Sequence, residues 1–433
     1  MATTAAAVVG VGGVAKASPA TRRLFPIVRS REGASELPAA VPTISIAQFN
    51  ILGSNLASPA HFPYVKPEHL AWKRRKHTLL NEIKQLGTAT RADSSSSSAP
   101  SASASSMSLA DVLCFQELTD YWAFFQRELA QLGYASVYVK RPSLHGTSWS
   151  GVEKKDGCGI FFKDDRFKLV MERSINFKDQ HDRVALMVLL EDRNGASSTG
   201  TGGKRDEGEK RKRDLVLVTT THLYWDSAKI DDQMKELREV GEGIEEMRSL
   251  VEREYKQSEL PIFFCGDFNN SPQSPIYRYM RDEIGVRADP RSSTRMRSAY
   301  DVYGSLQPDQ GRILPAEGNA AGPQQEPTHT TVTSRRCWTI DYIWYNPASL
   351  RPTHLLEVPE EEALRAEAGP EGWVERENER RLSEARVRGK SEAEVELLRT
   401  DAEGARKYNG LPNTDFGSDH LPLMAVFEIA PNQ

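Results

Sequence analysis

The sequence has few cysteines, and none of them are closely paired. Its 433 residues include four cysteines, and no two stand in a C-x-x-C spacing. Three of the four lie within apolar runs, which is typical of small buried side chains in a reducing compartment. A structural zinc site and a disulfide framework are therefore excluded. The four residues are Cys114, Cys158, Cys265 and Cys337.

Long apolar runs and an excess of one charge are also missing. No apolar run approaches the roughly 20 residues that a bilayer-spanning helix needs, so the sequence predicts a soluble protein without a membrane partner. The formal net charge is only -4, which excludes a uniformly basic surface for nucleic acid. A polyanionic substrate would have to be held by a local site, helped by a metal ion.

A buried apolar run that ends in polar residues is the clearest local pattern in the chain. After Pro261, residues 262–265 are apolar, and the sequence continues Gly-Asp-Phe-Asn-Asn. Such a run is typical of a central strand covered on both faces. Asp267 and Asn269 stand two apart, so an extended backbone would aim both side chains at one hard cation. A strand followed by an Asx-rich turn explains the same residues, and this motif alone leaves both interpretations open.

Three further predicted strands end in polar side chains. A strand-like alternation leads to Asn50, and an apolar run leads to Glu117. Both are candidate oxygen ligands, since a carboxylate at the end of a buried run must face solvent or pair with a cation. A third strand ends at His222. A lone histidine at such a position is more often structural than catalytic, and only neighbouring functional groups would favour a catalytic role.

Two acids and a histidine near the C-terminus complete the candidate set. Asp341 lies inside an apolar run, where an unpaired carboxylate is too costly, so we expect it to have a partner further along the chain. Ser418, Asp419 and His420 stand together before the last predicted strand. This triplet is the candidate source of that partner.

Low-complexity and charged segments divide the chain. Residues 1–40 are rich in Ala, Val, Gly and Ser, with no acid before Glu32, which fits either a disordered tail or a mitochondrial presequence. Residues 41–430 are predicted to form one domain of about 270 residues once insertions are removed. Flexible insertions are expected near 88–108, 193–213 and 305–327. At 351–407, Glu, Arg and Ala predict a surface helical hairpin or charged extension with no part in catalysis.

Taken in order, the motifs resemble the endonuclease/exonuclease/phosphatase superfamily, and within it the nocturnin and poly(A)-deadenylase branch. The matching segments are FNILG, FQE, DGCGIFF, THLYWD, GDFNNSP, TIDYIWY and GSDHLPL, which fall within residues 43–430. The resemblance implies an α/β fold of four layers, in which helices flank two stacked mixed β-sheets and the site lies at the strand ends. It also implies hydrolysis of phosphate esters with Mg²⁺, or alternatively Mn²⁺.

The resemblance and the residue chemistry assign the metal and the attacking water to one group of residues. Glu117 is a hard oxygen ligand suited to Mg²⁺, with Asn50 as a neutral second contact. Asp419 would be a further metal-binding or neighbouring acid. Asp267 would orient or deprotonate the attacking water, and Asn269 would donate to a phosphoryl oxygen.

The remaining roles fall to the two histidines. His420 would face the reacting phosphate, held in one tautomer by Asp341, and this pairing would also give the buried acid its partner. His222 would donate to the phosphate or assist the leaving group.

Two positions depart from the family pattern. Apurinic-site DNA nucleases have a metal-binding Asp two residues after the first-strand Asn, and Leu52 stands there, which weakens a DNA-repair function. Deadenylases hold an adenine between a Pro and a Phe, and this chain has Ser227 and Arg336 at those places. Arg336, with Trp338 beside it, could stack on any base, so we expect only a weak preference for poly(A).

These observations predict a Mg²⁺-dependent phosphodiesterase, most specifically a 3′–5′ exonuclease acting on single-stranded RNA 3′ ends by deadenylation or trimming. One alternative is a phosphatase of a nucleotide cofactor. An alternative from another class is an inactive nucleic-acid-binding scaffold, which the presence of every site residue disfavours. The expected compartment is the cytoplasm or nucleus, or the mitochondrion if residues 1–40 are a presequence.

Overall fold

Two mixed β-sheets, of seven and six strands, form the centre of the fold. The computed structural model describes residues 22–27, 41–89, 107–143, 154–178, 181–194, 214–284, 295–307, 312–313, 325–401 and 403–430. Within these ranges, no helix is both long enough and apolar enough to cross a membrane.

The strands of the two sheets are numbered along the chain. They are β1 (Leu24–Pro26), β2 (Thr43–Asn50), β3 (Val112–Gln116), β4 (Tyr134–Lys140), β5 (Gly157–Lys163), β6 (Phe167–Asn176), β7 (Val184–Asp192), β8 (Leu215–His222), β9 (Ile262–Asp267), β10 (Arg297–Ser298), β11 (Asp341–Tyr345), β12 (Leu350–Leu356) and β13 (Leu423–Ile429). The seven-stranded sheet has the order β1, β12, β13, β2, β3, β5, β4, and the six-stranded sheet has the order β10, β11, β9, β8, β7, β6.

Helices and short ribbons surround the sheets. The helices are α1 (Pro67–Leu70), α2 (Trp72–Ile83), α3 (Gln126–Ala130), α4 (Ile230–Tyr255), α5 (Pro275–Asp282), α6 (Glu361–Leu364), α7 (Trp373–Val387) and α8 (Glu392–Glu396). A π-helical turn (Tyr121–Phe125) precedes α3, and 3₁₀ turns lie at Tyr303–Ser305 and Gly404–Tyr408. The two-stranded ribbons pair Gly87–Ala89 with Met107–Leu109, Leu306–Gln307 with Arg312–Ile313, and Thr331–Val332 with Cys337–Trp338.

The sheets pack against each other, and helices cover their outer faces. Ile46 of β2 and Phe263 of β9 belong to one buried cluster between the sheets. Phe264 packs the other way, in a cluster with Leu237 of α4, and Phe115 of β3 lies in a third cluster with α2. Alternate residues of a strand point to opposite faces, so one apolar run serves both layers. Each such side chain contributes about 1.5 to 3 kcal/mol of hydrophobic stabilisation. The predicted four-layer α/β fold is confirmed.

The strand register brings the polar strand ends to one edge of the sheets. In the parallel pair β2 and β3, Asn50 lies opposite Gln116. In the parallel pair β8 and β9, His222 lies opposite Asp267, and Asp341 of antiparallel β11 lies opposite Asp267 from the other side. Parallel strands end at a common edge, where ligands of open α/β sheets bind.

Two strands include residues that the sequence assigns to the N-terminal tail or to the charged insertion. Residues 351–356, the predicted start of the charged insertion, belong to β12, which pairs with β13. The predicted boundary at 351 is therefore wrong, and the helices of this insertion begin at α6. The predicted tail 1–40 contains β1, an edge strand paired with β12. Most of that tail and most of the other predicted insertions fall outside the described residues.

Candidate active site

Asn50 links two buried carboxylates at the strand ends. Its Nδ2 donates to Glu117 Oε1 at 3.2 Å and to Asp267 Oδ2 at 3.0 Å. Its Oδ1 accepts from the backbone of Leu52 at 3.0 Å, so the amide nitrogen faces the acids. Glu117 has a positive φ of 53°, and its Oε2 accepts from the backbone of Gly53 at 2.8 Å. The Asn50 amide thus holds the carboxylates of Glu117 and Asp267 close together at the strand ends.

His420 and Asp341 form a buried pair. His420 Nδ1 lies 2.9 Å from Asp341 Oδ2. The same carboxylate accepts from Thr330 Oγ1 at 2.6 Å and from Gln48 Nε2 at 2.9 Å, so its orientation is fixed. A carboxylate on Nδ1 keeps the proton there and turns Nε2 toward the site. His420 Nε2 lies 3.7 Å from Asp267 Oδ2.

His222 approaches the same carboxylates from the neighbouring strand. Its Nε2 lies 3.4 Å from Asp267 Oδ2, and its Nδ1 lies 3.8 Å from Glu117 Oε1. Among the described residues, Nδ1 has no hydrogen-bond partner. Asp267 therefore lies near both imidazoles, and His222 has the neighbouring acids that a catalytic histidine requires.

Asn269 and Asp419 lie at the edges of this group. Asn269, at a positive φ of 51°, donates from Nδ2 to the carbonyl of Leu223 at 3.1 Å, and its backbone donates to Asp267 Oδ1 at 2.9 Å. Both Asn269 and Asp419 line the same cavity as Asp267. Asp419 Oδ1 is buried and has no hydrogen-bond partner in the described part of the chain.

Burial and mutual repulsion raise the pKa values of the acids in the site. Burial, strengthened by the Asp341 carboxylate, raises the pKa of Asp267. Burial also raises the pKa of Glu117, and the negative charges of Asp156 and Asp419 add to the effect. A group of desolvated acids with raised pKa values is typical of a functional site.

The pKa values of the two imidazoles, His222 and His420, are shifted in opposite directions. Burial lowers the pKa of His222 well below its ordinary value, and the cations Arg183 and Arg141 lower it further. Burial opposes protonation of His420 too, but the carboxylates of Asp341 and Asp419 prevail and raise its pKa well above its ordinary value. Paired groups whose pKa values are pushed apart are suited to acid and base roles.

The acids at this edge suit a hard divalent cation. Ligand atoms of Asp267, Asp341 and His420 lie within 4.8 Å of one another, close enough to hold a metal ion. The Asp341 oxygens, however, already accept from Gln48, Thr330 and His420. The unpartnered Oδ1 of Asp419 is better available, and carboxylate oxygens are ligands that such cations prefer.

A cavity of about 760 Å³ opens onto these residues. Of the three predicted substrate-binding residues, Arg336 lines it, and its guanidinium lies 5.4 Å from the ring centroid of Trp338. Trp338 is 47% exposed and Ser227 is exposed, and neither is among the described residues that line the cavity. Trp225, which the sequence analysis did not select, does line it.

Charged residues that sequence reasoning missed also form the cavity wall. Arg141, Lys154, Asp156 and Arg183 line it beside His222. Asp156 opens the DGCGIFF motif and could have been found from it. The three cations follow or precede strands without a distinguishing pattern, so only the assembled fold reveals them.

The helical insertion, residues 361–408, borders the cavity as well. Trp373, Arg376, Glu377 and Arg380 of α7 are lining residues. The sequence predicts a surface helical segment with no part in catalysis, and it does not predict that α7 borders the cavity. Such a helix has a charged composition typical of any solvated surface helix, and its docking position depends on tertiary contacts.

Specific contacts hold the insertion against the domain. Trp373 donates from Nε1 to Asn409 Oδ1 at 2.8 Å and packs against Tyr64, with ring centroids 6.1 Å apart. Arg365 donates from Nη1 to the carbonyl of Thr333 at 2.9 Å. The buried indole and the guanidinium thus anchor the insertion to the rest of the domain.

Comparison with known proteins identifies the family. The model of the Endonuclease/Exonuclease/phosphatase family matches residues 47–420. Carbon catabolite repressor protein 4 homolog 4 of Arabidopsis thaliana is 24% identical over 89% of this chain and 77% of its own length. The CCR4-Not complex 3'-5'-exoribonuclease subunit Ccr4 of Aspergillus niger is 26% identical over 92% of this chain and 54% of its own length.

A solved structure shares the fold. The human Nocturnin catalytic domain aligns with a TM-score of 0.52 at 20% identity, covering 96% of this chain and all of that chain. The chain spans between about half and about three quarters of the length of the two curated relatives. Because the family match includes every predicted strand-end residue from Asn50 to His420, the chain belongs to the endonuclease/exonuclease/phosphatase family.

Proposed function

We propose that this protein is a divalent-metal-dependent 3′–5′ exoribonuclease that acts on the 3′ ends of single-stranded RNA. The observation that carries the proposal is the position of Asp267 Oδ2, which lies 3.0 Å from Asn50 Nδ2, 3.4 Å from His222 Nε2 and 3.7 Å from His420 Nε2. One buried carboxylate between two imidazoles and an amide is equipped to handle the proton of an attacking water.

Mg²⁺ is the proposed ion, with Mn²⁺ as a substitute, and Glu117 and Asp419 would hold it. When bound, the ion supplies charge relief at the phosphoryl oxygens and a water of lowered pKa. Glu117 is oriented for this by Asn50 and Gly53, while the unpartnered oxygen of Asp419 faces no competing donor among the described residues. Cation binding would also offset the burial and the repulsion from Asp156 and Asp419 that raise the pKa of Glu117.

The protein's own groups divide the remaining work. Asp267 orients the attacking water and accepts its proton. His420, kept charged by Asp341, donates from Nε2 to a phosphoryl oxygen as negative charge develops there. Asn269 uses one amide proton on Leu223 and has a second for the phosphate. Neutral His222, whose Nε2 lies 3.4 Å from Asp267 Oδ2, donates a hydrogen bond to the phosphate or to the leaving 3′ oxygen.

The cavity charge supports a polyanionic substrate despite the acidic chain. Seven lining residues are cationic, namely Arg141, Lys154, Arg183, Arg335, Arg336, Arg376 and Arg380, against five acids, Glu117, Asp156, Asp267, Glu377 and Asp419. A metal ion would add to this excess. A volume of about 760 Å³ is that of a small-ligand pocket, which favours the end of a single strand as its occupant.

Digestion of a labelled substrate panel tests the proposal. Purified protein with Mg²⁺ should shorten 5′-labelled RNA stepwise from its 3′ end and release nucleoside 5′-monophosphates. Phosphate release from nucleotides with intact RNA would favour the phosphatase alternative instead. RNA binding without cleavage in either metal would favour the scaffold.

A further inference from the structure

Arg183 is a buried cation with unused hydrogen-bond donors beside the candidate active site. It is 6% exposed and lines the cavity. Its Nε and Nη1 are buried and have no hydrogen-bond partner among the described residues. A guanidinium stays charged in proteins, and a buried charge without a partner is costly. An anion that enters the cavity, which the Arg183 side chain lines, would offset this charge.

The described acids whose charges act on Arg183 have other hydrogen-bond partners. Asp156 is held by Arg141, whose Nη1 lies 2.9 Å from Asp156 Oδ2. Glu117 accepts from Asn50 and Gly53, and Glu236 Oε2 accepts from the backbone of Tyr224 at 2.9 Å. These charges act on Arg183 from a distance, and Arg141 opposes them. The acids therefore moderate the buried charge without using its donors.

Arg141 and Lys154 extend the cationic wall around Arg183. Arg141 is buried, and besides Asp156 its Nε donates to the carbonyl of Asp182 at 2.9 Å, which fixes the side chain. Lys154 Nζ lies 3.7 Å from Asp182 Oδ2, and both cations line the cavity. Fixed guanidinium groups are suited to phosphate because their parallel N–H groups match its oxygens.

Among the described residues, no ion pair joins this wall to the groups assigned to the scissile phosphate, Asp267, Asn269 and His420. The charges of Arg183 and Arg141 do reach His222, whose pKa they lower in addition to the effect of burial. Both sets open into the same cavity, so one substrate can reach both.

We propose that Arg183, flanked by Arg141 and Lys154, binds a second phosphate group of the substrate, distinct from the phosphate that is cleaved. The inference rests on the proposed function and adds that a good substrate carries at least two phosphates. The second phosphate has two possible sources: the 5′ side of the penultimate nucleotide or the 3′ terminus.

Equilibrium binding tests the subsite without requiring cleavage. Isothermal titration in Mg²⁺ would compare adenosine 3′,5′-bisphosphate with adenosine 5′-monophosphate. The native protein should bind the bisphosphate at least about tenfold more tightly, and Arg183→Gln should remove that difference. Equal affinities for the native protein, or a preference that survives in Arg183→Gln, would overturn the proposal. Because no turnover is measured, this outcome is independent of the exonuclease activity.

Dinucleotide cleavage then distinguishes the two sources. The native protein would be compared on ApA, pApA and ApAp, and the expected readout is a lower KM for whichever of the latter two places its phosphate on Arg183. In Arg183→Gln, that substrate should lose its advantage over ApA. Identical KM values for all three in the native protein would contradict a second phosphate site.

Thermal stability separates ligand binding from a structural role. Removing an uncompensated buried charge should leave the melting temperature of Arg183→Gln unchanged or raised. A clear fall in its melting temperature would indicate that Arg183 holds the fold together. The matched control is Arg173→Gln, since Arg173 pairs with Glu246 on α4 and does not line the cavity. This control should keep the full preference for the bisphosphate.

Discussion

The pairing of Asp341 with His420 makes a quantitative prediction about coupling. In Asp341→Asn, the amide has one oxygen for the three donors that now reach the carboxylate, from Gln48, Thr330 and His420. An amide nitrogen facing His420 Nδ1 would reverse the tautomer and remove the charge that stabilises the imidazolium. Loss of a correctly placed donor to the developing charge typically costs about 10² to 10⁴ in rate.

His420→Ala removes the same function from the other side of the hydrogen bond. If Asp341 acts only through His420, the double variant should be hardly slower than either single variant. The expected coupling energy therefore equals one single loss, about 3 to 5 kcal/mol for a rate change of roughly 10² to 10⁴. Single-turnover cleavage of 5′-labelled RNA in Mg²⁺ measures the four rates.

A matched control separates this effect from the general cost of altering a buried acid. Asp192 is buried on β7, lies 2.6 Å from Arg166 Nη2 and does not line the cavity. Asp192→Asn should lower the melting temperature but leave the rate near native. Losses that multiply in the double variant would show that Asp341 and His420 act independently and would refute their assignment as a unit.

Three further predictions concern specificity, the insertion and pH. Neither Ser227 nor Trp338 lines the cavity, so cleavage of oligo(A) should be less than about tenfold faster than cleavage of oligo(U), and a hundredfold preference would reveal another adenine clamp. The double change Arg376→Ala and Arg380→Ala should raise KM for RNA several-fold, because both side chains line the cavity. The control Arg386→Ala should leave KM unchanged, because Arg386 is exposed and pairs with Glu392. Equal effects of the two changes on KM would mean that α7 does not contact substrate. Burial raises the pKa of Glu82 to about 8, so the folded state retains this proton to higher pH than the unfolded state, and stability should fall as pH rises from about 4.5 to 8. Glu82→Gln keeps an acceptor for the backbone of Gly417 and should flatten the melting temperature over that window; an unchanged pH profile would contradict the assignment.

The strand-end residues could be predicted because the sequence reports them directly. Asn50, His222 and Asp267 each close an apolar run, and parallel strands place such ends at one edge without further information. The partner of Asp341 could also be anticipated, since a buried acid requires one. The residues of the cavity wall could not be predicted. Arg183, for example, has no local sequence pattern that distinguishes it from any other arginine before a strand.

Edges and insertions were the least predictable parts of the fold. β12 begins with Leu350, and its mixed polar and apolar residues resemble the charged segment that follows, although every second position near its start is buried. β1 has only three residues and is defined by its pairing with β12, which no local pattern indicates. The position of α7 depends on contacts such as that between Trp373 and Asn409, which join residues far apart in sequence.

Incubation of 5′-labelled single-stranded RNA with the native protein and with Glu117→Gln tests the proposed activity most directly. The native protein with Mg²⁺ should produce a ladder of products shortened from the 3′ end, and EDTA should abolish it. Glu117→Gln keeps the shape of the side chain and removes the charge proposed to hold the metal, so it should fold normally and lose turnover. Full turnover in EDTA, or near-native rates for Glu117→Gln, would contradict metal-dependent hydrolysis at this site.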